Sequence, residues 1–127
     1  MEKKPRILLI DDSEATVEGL GSYLSPRFDV VTAFDGLSAL NEIGSKPFDL
    51  VIADLILPEF SGIGLISFLR QTSPQTPIIA MTGWGKHPQE LATESKADVV
   101  LMKPFDLEDL DQSVSKLLNG KASRRAI

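Results

Sequence analysis

Four short apolar runs constrain the fold of this chain more than any other feature. They occupy residues 7–10, 50–53, 77–81 and 99–102. None of them alternates apolar with polar residues, which is typical of strands that helices cover on both faces. A fifth run, residues 28–33, is more mixed and suits a strand at the edge of a sheet. Segments with helical spacing separate the runs, so the sequence predicts an α/β protein with a parallel sheet and right-handed crossovers.

Two of the predicted helices have a good capping residue and an apolar stripe. One follows Ser13 and the other follows Ser61, and serine is a favoured N-cap residue. Their apolar residues recur every three or four positions, as expected for one buried helix face. These residues are Val17, Leu20 and Leu24 in the first helix, and Ile63, Ile66 and Leu69 in the second.

The last predicted helix follows Asp106, which can cap it, and Asn119-Gly120 is a plausible stop. Glu108 and Asp109 favour its positive N-terminal end. Its apolar stripe consists of Leu107, Leu110, Val114, Leu117 and Leu118. We therefore expect one domain over residues 1–120, followed at 121–127 by a basic tail or the start of a linker.

A fourth helix is predicted over residues 87–95, with Pro88 at its first position. It offers only Leu91 and Ala92 for burial. Few apolar anchors imply low local stability, which is typical of elements that move.

The composition limits the class of protein. The chain has 127 residues, a hydrophobic content of 43% and a charged content of 24%, which suits one soluble globular domain. Its net charge of −5 disfavours direct nucleic-acid binding, and the absence of cysteine excludes disulfides and thiolate metal ligands. Neither a signal-peptide pattern nor an apolar stretch near the ~20 residues of a membrane span is present. We therefore expect a cytoplasmic protein.

Polar residues stand at the ends of the four apolar runs. Asp11 and Asp12 follow the first, Asp54 the second, Thr82 the third and Lys103 the fourth. Ligands bind at the carboxyl ends of strands in open parallel sheets. Carboxylates suit Mg²⁺, and a carboxylate can form an aspartyl-phosphate. The pattern therefore predicts a site for a divalent cation and a phosphoryl group. Asp54 would be the nucleophile, Lys103 the neutralising cation and Thr82 a hydroxyl donor.

Each of these residues also has a simpler interpretation. Asp11 and Asp12 could merely complement a helix dipole. Lys103 could be a surface lysine and Thr82 a turn residue. Three carboxylates converging in one crevice favour the cation site, because their mutual repulsion would otherwise be costly. His87, the only histidine, is expected on an exposed helix, and we assign it no role.

Taken together, these motifs resemble the response-regulator receiver domain of two-component signalling. They are Asp11-Asp12-Ser13, Asp54-Leu55-Ile56-Leu57-Pro58, Thr82-Gly83 and Lys103-Pro104-Phe105. The resemblance covers about residues 6–119. It implies a flavodoxin-like, doubly wound, five-stranded parallel sheet of order 2-1-3-4-5 with five flanking helices.

The resemblance also implies roles for individual residues. Asp54 would accept a phosphoryl group from the phosphohistidine of a sensor kinase or phosphotransfer protein. Asp12, Asp54 and the backbone carbonyl of Ile56 would bind Mg²⁺, with Asp11 acting partly through water. Lys103 would pair with the phosphoryl oxygens and Thr82 would move to hydrogen-bond one of them.

The peptide bond between Lys103 and Pro104 would be cis. The output would be a shifted surface of the fourth helix, fifth strand and fifth helix, read by a downstream protein or domain. Such a protein would be a monomer or a phosphorylation-dependent dimer. It would not be an enzyme beyond catalysing its own phosphorylation and dephosphorylation.

Several positions depart from the family pattern. Val100 stands where the family commonly has an aromatic residue that is coupled to the movement of the threonine. Pro58-Glu59 replaces a Pro-Gly, and Lys96 replaces a glycine. Ile56 and Trp84 stand two residues beyond Asp54 and Thr82, where their apolar bulk would exclude water and give a long-lived phosphoryl group. Trp84 could equally be an aromatic residue that contacts a partner.

Three other functions remain open. A phosphatase with an aspartyl nucleophile is disfavoured because no insertion is long enough to form a substrate cap. A receiver-like domain that only binds partners is disfavoured because all five site residues are present, although Val100 keeps it open. A nucleotide or flavin module is the weakest alternative, since the turn at Asp11 is acidic and lacks a glycine-rich phosphate loop.

Overall fold

A computed structural model describes residues 4–57, 61–83, 90, 93 and 95–126, with side chains as far as residue 120. The elements are β1 (Arg6–Ile10), α1 (Glu14–Leu24), β2 (Asp29–Ala33), α2 (Gly36–Ser45), β3 (Leu50–Asp54), α3 (Gly62–Thr72), β4 (Ile78–Thr82), β5 (Val99–Met102) and a C-terminal helix (Leu107–Ala126).

The five strands form one parallel sheet in the order β2-β1-β3-β4-β5. This confirms the flavodoxin-like order that the family resemblance implies. The mixed run forms β2, which lies at one edge of the sheet, and β5 lies at the other edge. The strand register pairs Ala53 with Ala80 and Thr82 with Met102, so the carboxyl ends of the central strands are level.

The central strands are buried on both faces, as their lack of alternation predicts. One core cluster joins the sheet to α2 and α3, and includes Leu8, Val51 and Leu65. The other joins it to α1 and the C-terminal helix, and includes Leu24 and Leu110. Residues of β5 are half-buried throughout, in keeping with an edge strand.

Polar side chains cap the first three helices. The hydroxyl of Ser13 accepts a hydrogen bond from Thr16 N, and that of Ser61 accepts one from Gly64 N, which confirms both predicted caps. Asp35 caps α2 in the same way by accepting from Ser38 N. This third cap was not predicted, although one face of α2 packs against the core through Ala39, Leu40 and Ile43.

Two predictions about the C-terminal helix are wrong. The helix continues past Asn119-Gly120 to Ala126 instead of stopping there. None of the described glycines has a positive φ, so Gly120 does not form a left-handed C-cap. The residues that follow it include lysine, alanine and arginine, which are good helix formers. Leu107 is 42% exposed and is not part of the buried stripe, whereas Leu110 and Val114 are buried.

Most of the predicted fourth helix, residues 87–95, lies outside the described residues, as do Pro58, Glu59 and Trp84. Lys96, the residue after that range, has a φ of 64°. Its backbone therefore adopts the left-handed conformation for which glycine is favoured. In the described part of the chain, no helix is long and apolar enough to cross a membrane.

Candidate functional site

The candidate site lies at the carboxyl edge of the sheet. Asp54 is the last residue of β3 and Thr82 the last residue of β4. Asp11 directly follows β1 and Lys103 directly follows β5. The parallel register brings these four strand ends together, so the structure places the predicted residues in one crevice.

Lys103 bridges two carboxylates in this crevice. Its Nζ lies 2.6 Å from Asp11 Oδ2 and 2.7 Å from Asp54 Oδ2. Asp11 is fully buried and Asp54 is 7% exposed. The second oxygen of Asp11 accepts from Ser13 N at 2.9 Å, and that of Asp54 accepts from Ile56 N at 2.8 Å. Both carboxylates are therefore held by a backbone amide on one side and by the ammonium on the other.

Burial and neighbouring charges have opposing effects on the pKa values of Asp54 and Lys103. Burial raises the pKa of Asp54, and the neighbouring Asp11 adds to this, while the hydrogen bonds from Lys103 and Ile56 oppose it without cancelling it. For Lys103, burial lowers the pKa, but the hydrogen bonds to Asp11 and Asp54 outweigh burial and leave it raised. The lysine is therefore firmly charged.

Three carboxylates are arranged to hold a cation. One oxygen from each of Asp11, Asp12 and Asp54 lies within 4.8 Å of the others. Asp12 is exposed, so it adds a solvent-facing ligand to the two buried ones. Hard oxygen donors with an open, hydrated side suit Mg²⁺, which keeps several waters. The donor set therefore fits the ion that the sequence predicts.

The remaining predicted residues surround this cluster. Thr82 is buried, and its carbonyl accepts from Lys103 N at 2.7 Å. The peptide bond between Lys103 and Pro104 is cis. The Ile56 side chain is 51% exposed beside Asp54. Val100, in the middle of β5, is half-buried against the α2 and α3 side of the core.

Two features of the site cannot be predicted from local sequence patterns. One is the contact between Lys103 and Asp11, which are 92 residues apart. The other is Gly62, the first residue of α3. A Cβ atom there would overlap the carbonyl oxygen of Asp54 and lie 2.5 Å from Leu55 Cα. Only glycine lets α3 start this close to the strand that carries Asp54, and no local pattern signals that approach.

Comparison with known proteins decides the family. A sequence model of the response regulator receiver domain matches residues 7–115. The chain belongs to the receiver domain family. It is 34% identical over 116 residues to the transcriptional activator protein PfeR of Pseudomonas aeruginosa, covering 90% of this chain and 38% of PfeR. It is 35% identical over 129 residues to the transcriptional regulatory protein CiaR of Streptococcus pneumoniae, covering 96% and 56%.

Solved receiver structures share the fold over almost the whole chain. The signal receiver domain of an HD domain-containing protein from Pseudomonas fluorescens matches with a TM-score of 0.89 and 29% identity, covering 99% of this chain and 95% of that one. The response regulator TrrA of Thermotoga maritima, solved in complex with Mg²⁺ and a beryllofluoride, matches with a TM-score of 0.80 and 31% identity, covering 89% and 98%.

Receiver domains are signalling domains of two-component systems, and control by phosphorylation is general to the family. The acidic cluster of this receiver domain agrees with that assignment.

Proposed function

We propose that Asp54 accepts a phosphoryl group from the phosphohistidine of a sensor kinase or phosphotransfer protein. The observation that carries this proposal is that Asp54 contacts the ammonium of Lys103 and also belongs to the candidate metal site. Its Oδ2 lies 2.7 Å from the ammonium of Lys103, and its carboxylate belongs to the cluster with Asp11 and Asp12. A nucleophile that attacks phosphorus needs such charge neutralisation around the transferring group.

In the proposed transfer, a carboxylate oxygen of Asp54 forms a bond to phosphorus as the nitrogen–phosphorus bond of the phosphohistidine breaks. The bonding electrons leave with the imidazole of the donor, so atoms and charge balance. Lys103 is already beside Asp54 and shifts its ammonium onto a phosphoryl oxygen. The hydroxyl of Thr82, on the neighbouring strand end, would hydrogen-bond another of these oxygens.

Asp11, Asp12, Asp54 and the carbonyl of Ile56 would hold Mg²⁺. When bound, the ion supplies positive charge that stabilises the phosphoryl oxygens during transfer. The same residues would allow the domain to catalyse its own dephosphorylation, with no other enzymatic activity.

Phosphorylation would switch the surface formed by the predicted fourth helix, β5 and the C-terminal helix. It adds a charge of about −2 at Asp54. Thr82 is adjacent in the sheet to Met102 of β5, so its movement toward the phosphoryl group would be transmitted to that edge strand. Val100 fills the usual position of the aromatic residue with a smaller side chain. The shift of this surface would therefore proceed without the movement of an aromatic side chain at that position.

The partners would be a phosphodonor protein and a downstream protein or domain, in the cytoplasm. The chain spans 38% and 56% of the lengths of the two regulators it matches, whose names describe transcriptional roles. An output of that kind would lie in another domain or protein. The net charge of −5 argues against nucleic-acid binding by this domain itself.

Intact mass after incubation with Mg²⁺ and acetyl phosphate tests the proposal. We expect one added phosphoryl group in the wild type and none in Asp54→Asn or in a metal-free sample. If folded protein gains nothing under conditions that label a known receiver, the proposal fails. A domain that only binds partners, an alternative that Val100 keeps open, would then take its place. Turnover of a phosphate ester would instead favour the small-molecule phosphatase.

A further inference from the structure

A groove of about 240 Å³ lies between the carboxyl ends of α2 and α3. Four apolar residues line it, namely Ile43, Phe48, Val51 and Leu69. The last three of these are buried, so the bottom of the groove is apolar. Val51 is the second residue of β3 and Asp54 the last. The groove therefore lies at the amino edge of the sheet, away from the candidate phosphorylation site.

Phe68 of α3 is a large apolar side chain next to this groove. It is 41% exposed and does not line the groove itself. Thr72, which does line it, stands one helical turn later, and its hydroxyl donates to the carbonyl oxygen of Phe68 at 3.0 Å. An exposed aromatic ring and an apolar groove thus lie side by side on α3. A cavity of about 150 Å³ is enough to bind benzene, so the groove can hold a phenyl ring.

The surface around Phe68 and the groove is poor in charge. We call it the α2–α3 surface and define it as residues 36–48 and 61–77. Its charged residues are Glu42, Lys46 and Arg70. Each of them has a partner within the chain, since Glu42 lies 3.6 Å from Lys46 and Arg70 lies 2.5 Å from Asp98. Charged residues are depleted at the centres of protein interfaces, and aromatic residues are enriched there.

The other side of the sheet has the opposite character. Residues 14–24 and 107–115, in α1 and the C-terminal helix, contain five acids and no basic residue. Two copies of a chain with a net charge of −5 repel each other, most strongly where acids face acids. The α2–α3 surface has no excess of acids, so two copies can approach there without bringing like charges together.

We propose that two copies of this chain associate through their α2–α3 surfaces, with Phe68 of each copy inserted into the groove of the other. A twofold contact is self-complementary, so a ring beside a groove is matched twice by a single axis. The contact leaves Asp54 and the C-terminal helix uncovered, because the groove is at the amino edge and that helix packs on the other face of the sheet. This dimer forms without phosphorylation.

Sedimentation equilibrium of the unphosphorylated chain tests the proposal, over concentrations from about 10 μM to about 1 mM, as suits a small interface. Phe68→Ala removes the ring, and Thr72→Trp fills the groove from its rim. Leu107→Ala is the matched control, because Leu107 is 42% exposed on a helix of the other face. Circular dichroism establishes that each variant is folded.

We expect the wild type to dimerise and Phe68→Ala to weaken the dimer about 10- to 50-fold, since each dimer loses two partly buried rings. Thr72→Trp should weaken it to a similar extent, and Leu107→Ala should change it less than about twofold. A mixture of Phe68→Ala and Thr72→Trp should associate more tightly than either variant alone, because one ring and one open groove still meet. Added salt should strengthen the wild-type dimer by screening the repulsion between two acidic chains.

A wild type that stays monomeric over the whole concentration range overturns the inference. So does a wild-type dissociation constant for Phe68→Ala, or a mixture of the two variants that associates no better than each alone. Oligomers larger than a dimer would exclude the twofold contact. Dimerisation that requires acetyl phosphate, or that Asp54→Asn abolishes, would assign the association to the phosphorylated state. In native mass spectrometry, a small molecule retained by the wild type and lost from Thr72→Trp would assign the groove to a ligand instead.

Discussion

Replacing Lys103 with methionine removes the cation that separates two buried carboxylates while keeping a side chain of similar length. In the wild type the ammonium lies 2.6 Å from Asp11 Oδ2 and 2.7 Å from Asp54 Oδ2. Without it, these acids and Asp12 have oxygens within 4.8 Å of one another. Two unit charges at that distance repel by roughly 3–4 kcal/mol at an effective dielectric constant of about 20.

The expected destabilisation in the absence of divalent cations is about 2–4 kcal/mol. This is near the cost of removing one partner of a buried ion pair, reduced because the lysine side chain is 27% exposed and because the acids can take up a proton. Mg²⁺ should restore at least half of the loss, since it neutralises the same carboxylates. The variant should also bind Mg²⁺ more tightly than the wild type, because the competing ammonium is gone.

Urea unfolding followed by circular dichroism at neutral pH, with EDTA or with Mg²⁺, measures both effects. Lys46→Met is the matched control, because Lys46 forms a half-exposed pair with Glu42 at 3.6 Å within one helix turn, and such pairs contribute about 0.5 kcal/mol. A loss below about 1 kcal/mol in EDTA, or an equal loss with Mg²⁺, would refute the idea that Lys103 separates the acids.

The same contact gives a pH dependence at alkaline values. Hydrogen bonds to two carboxylates raise the pKa of Lys103 in the folded protein despite the opposing effect of burial. Its stabilisation is therefore fully present below the unfolded-state pKa of about 10.4 and is lost as the pH rises through the folded-state value. The stability of the wild type should converge on that of Lys103→Met in this alkaline range.

Three further variants test other parts of the structure. Gly62→Ala should destabilise the protein by about 1–3 kcal/mol in urea unfolding, because its methyl group overlaps the backbone of Asp54. Gly44→Ala, where the space is open, should instead stabilise it; equal effects of the two would contradict this reasoning. Lys96→Gly should raise the free energy of unfolding by about 0.5–1 kcal/mol, since φ is 64° there. Lys96→Ala should not raise it. If both variants are more stable than the wild type, the effect comes from loss of the lysine side chain and not from the backbone conformation. Replacing Ile56 and Trp84 with asparagine should shorten the lifetime of phosphorylated Asp54, measured by intact mass. An unchanged or longer lifetime would reject water exclusion by these residues.

Most strands and several helix starts of this protein can be predicted from local patterns. The runs that became β1, β3 and β4 lack alternation because each strand is buried on both faces, and this requirement leaves a trace in every residue of the run. Ser13 and Ser61 are equally local signals, since a cap acts on amides within three residues. The acids at the strand ends could be located because the apolar runs show where each strand ends. Their closeness in space could be predicted because the carboxyl ends of parallel strands meet at one edge of the sheet.

The sequence by itself therefore determined the succession of strands and helices along the chain and the set of residues available to the site. Only the tertiary structure decided what those residues touch. Lys103 meets Asp11 across 92 residues, and Gly62 fits against Asp54, because packing brings strand and helix ends together from distant parts of the chain. The exposure of Leu107 is of the same kind. Its helical position predicts burial, but whether a helix face is covered depends on the elements that pack against it, and Leu107 is left 42% exposed.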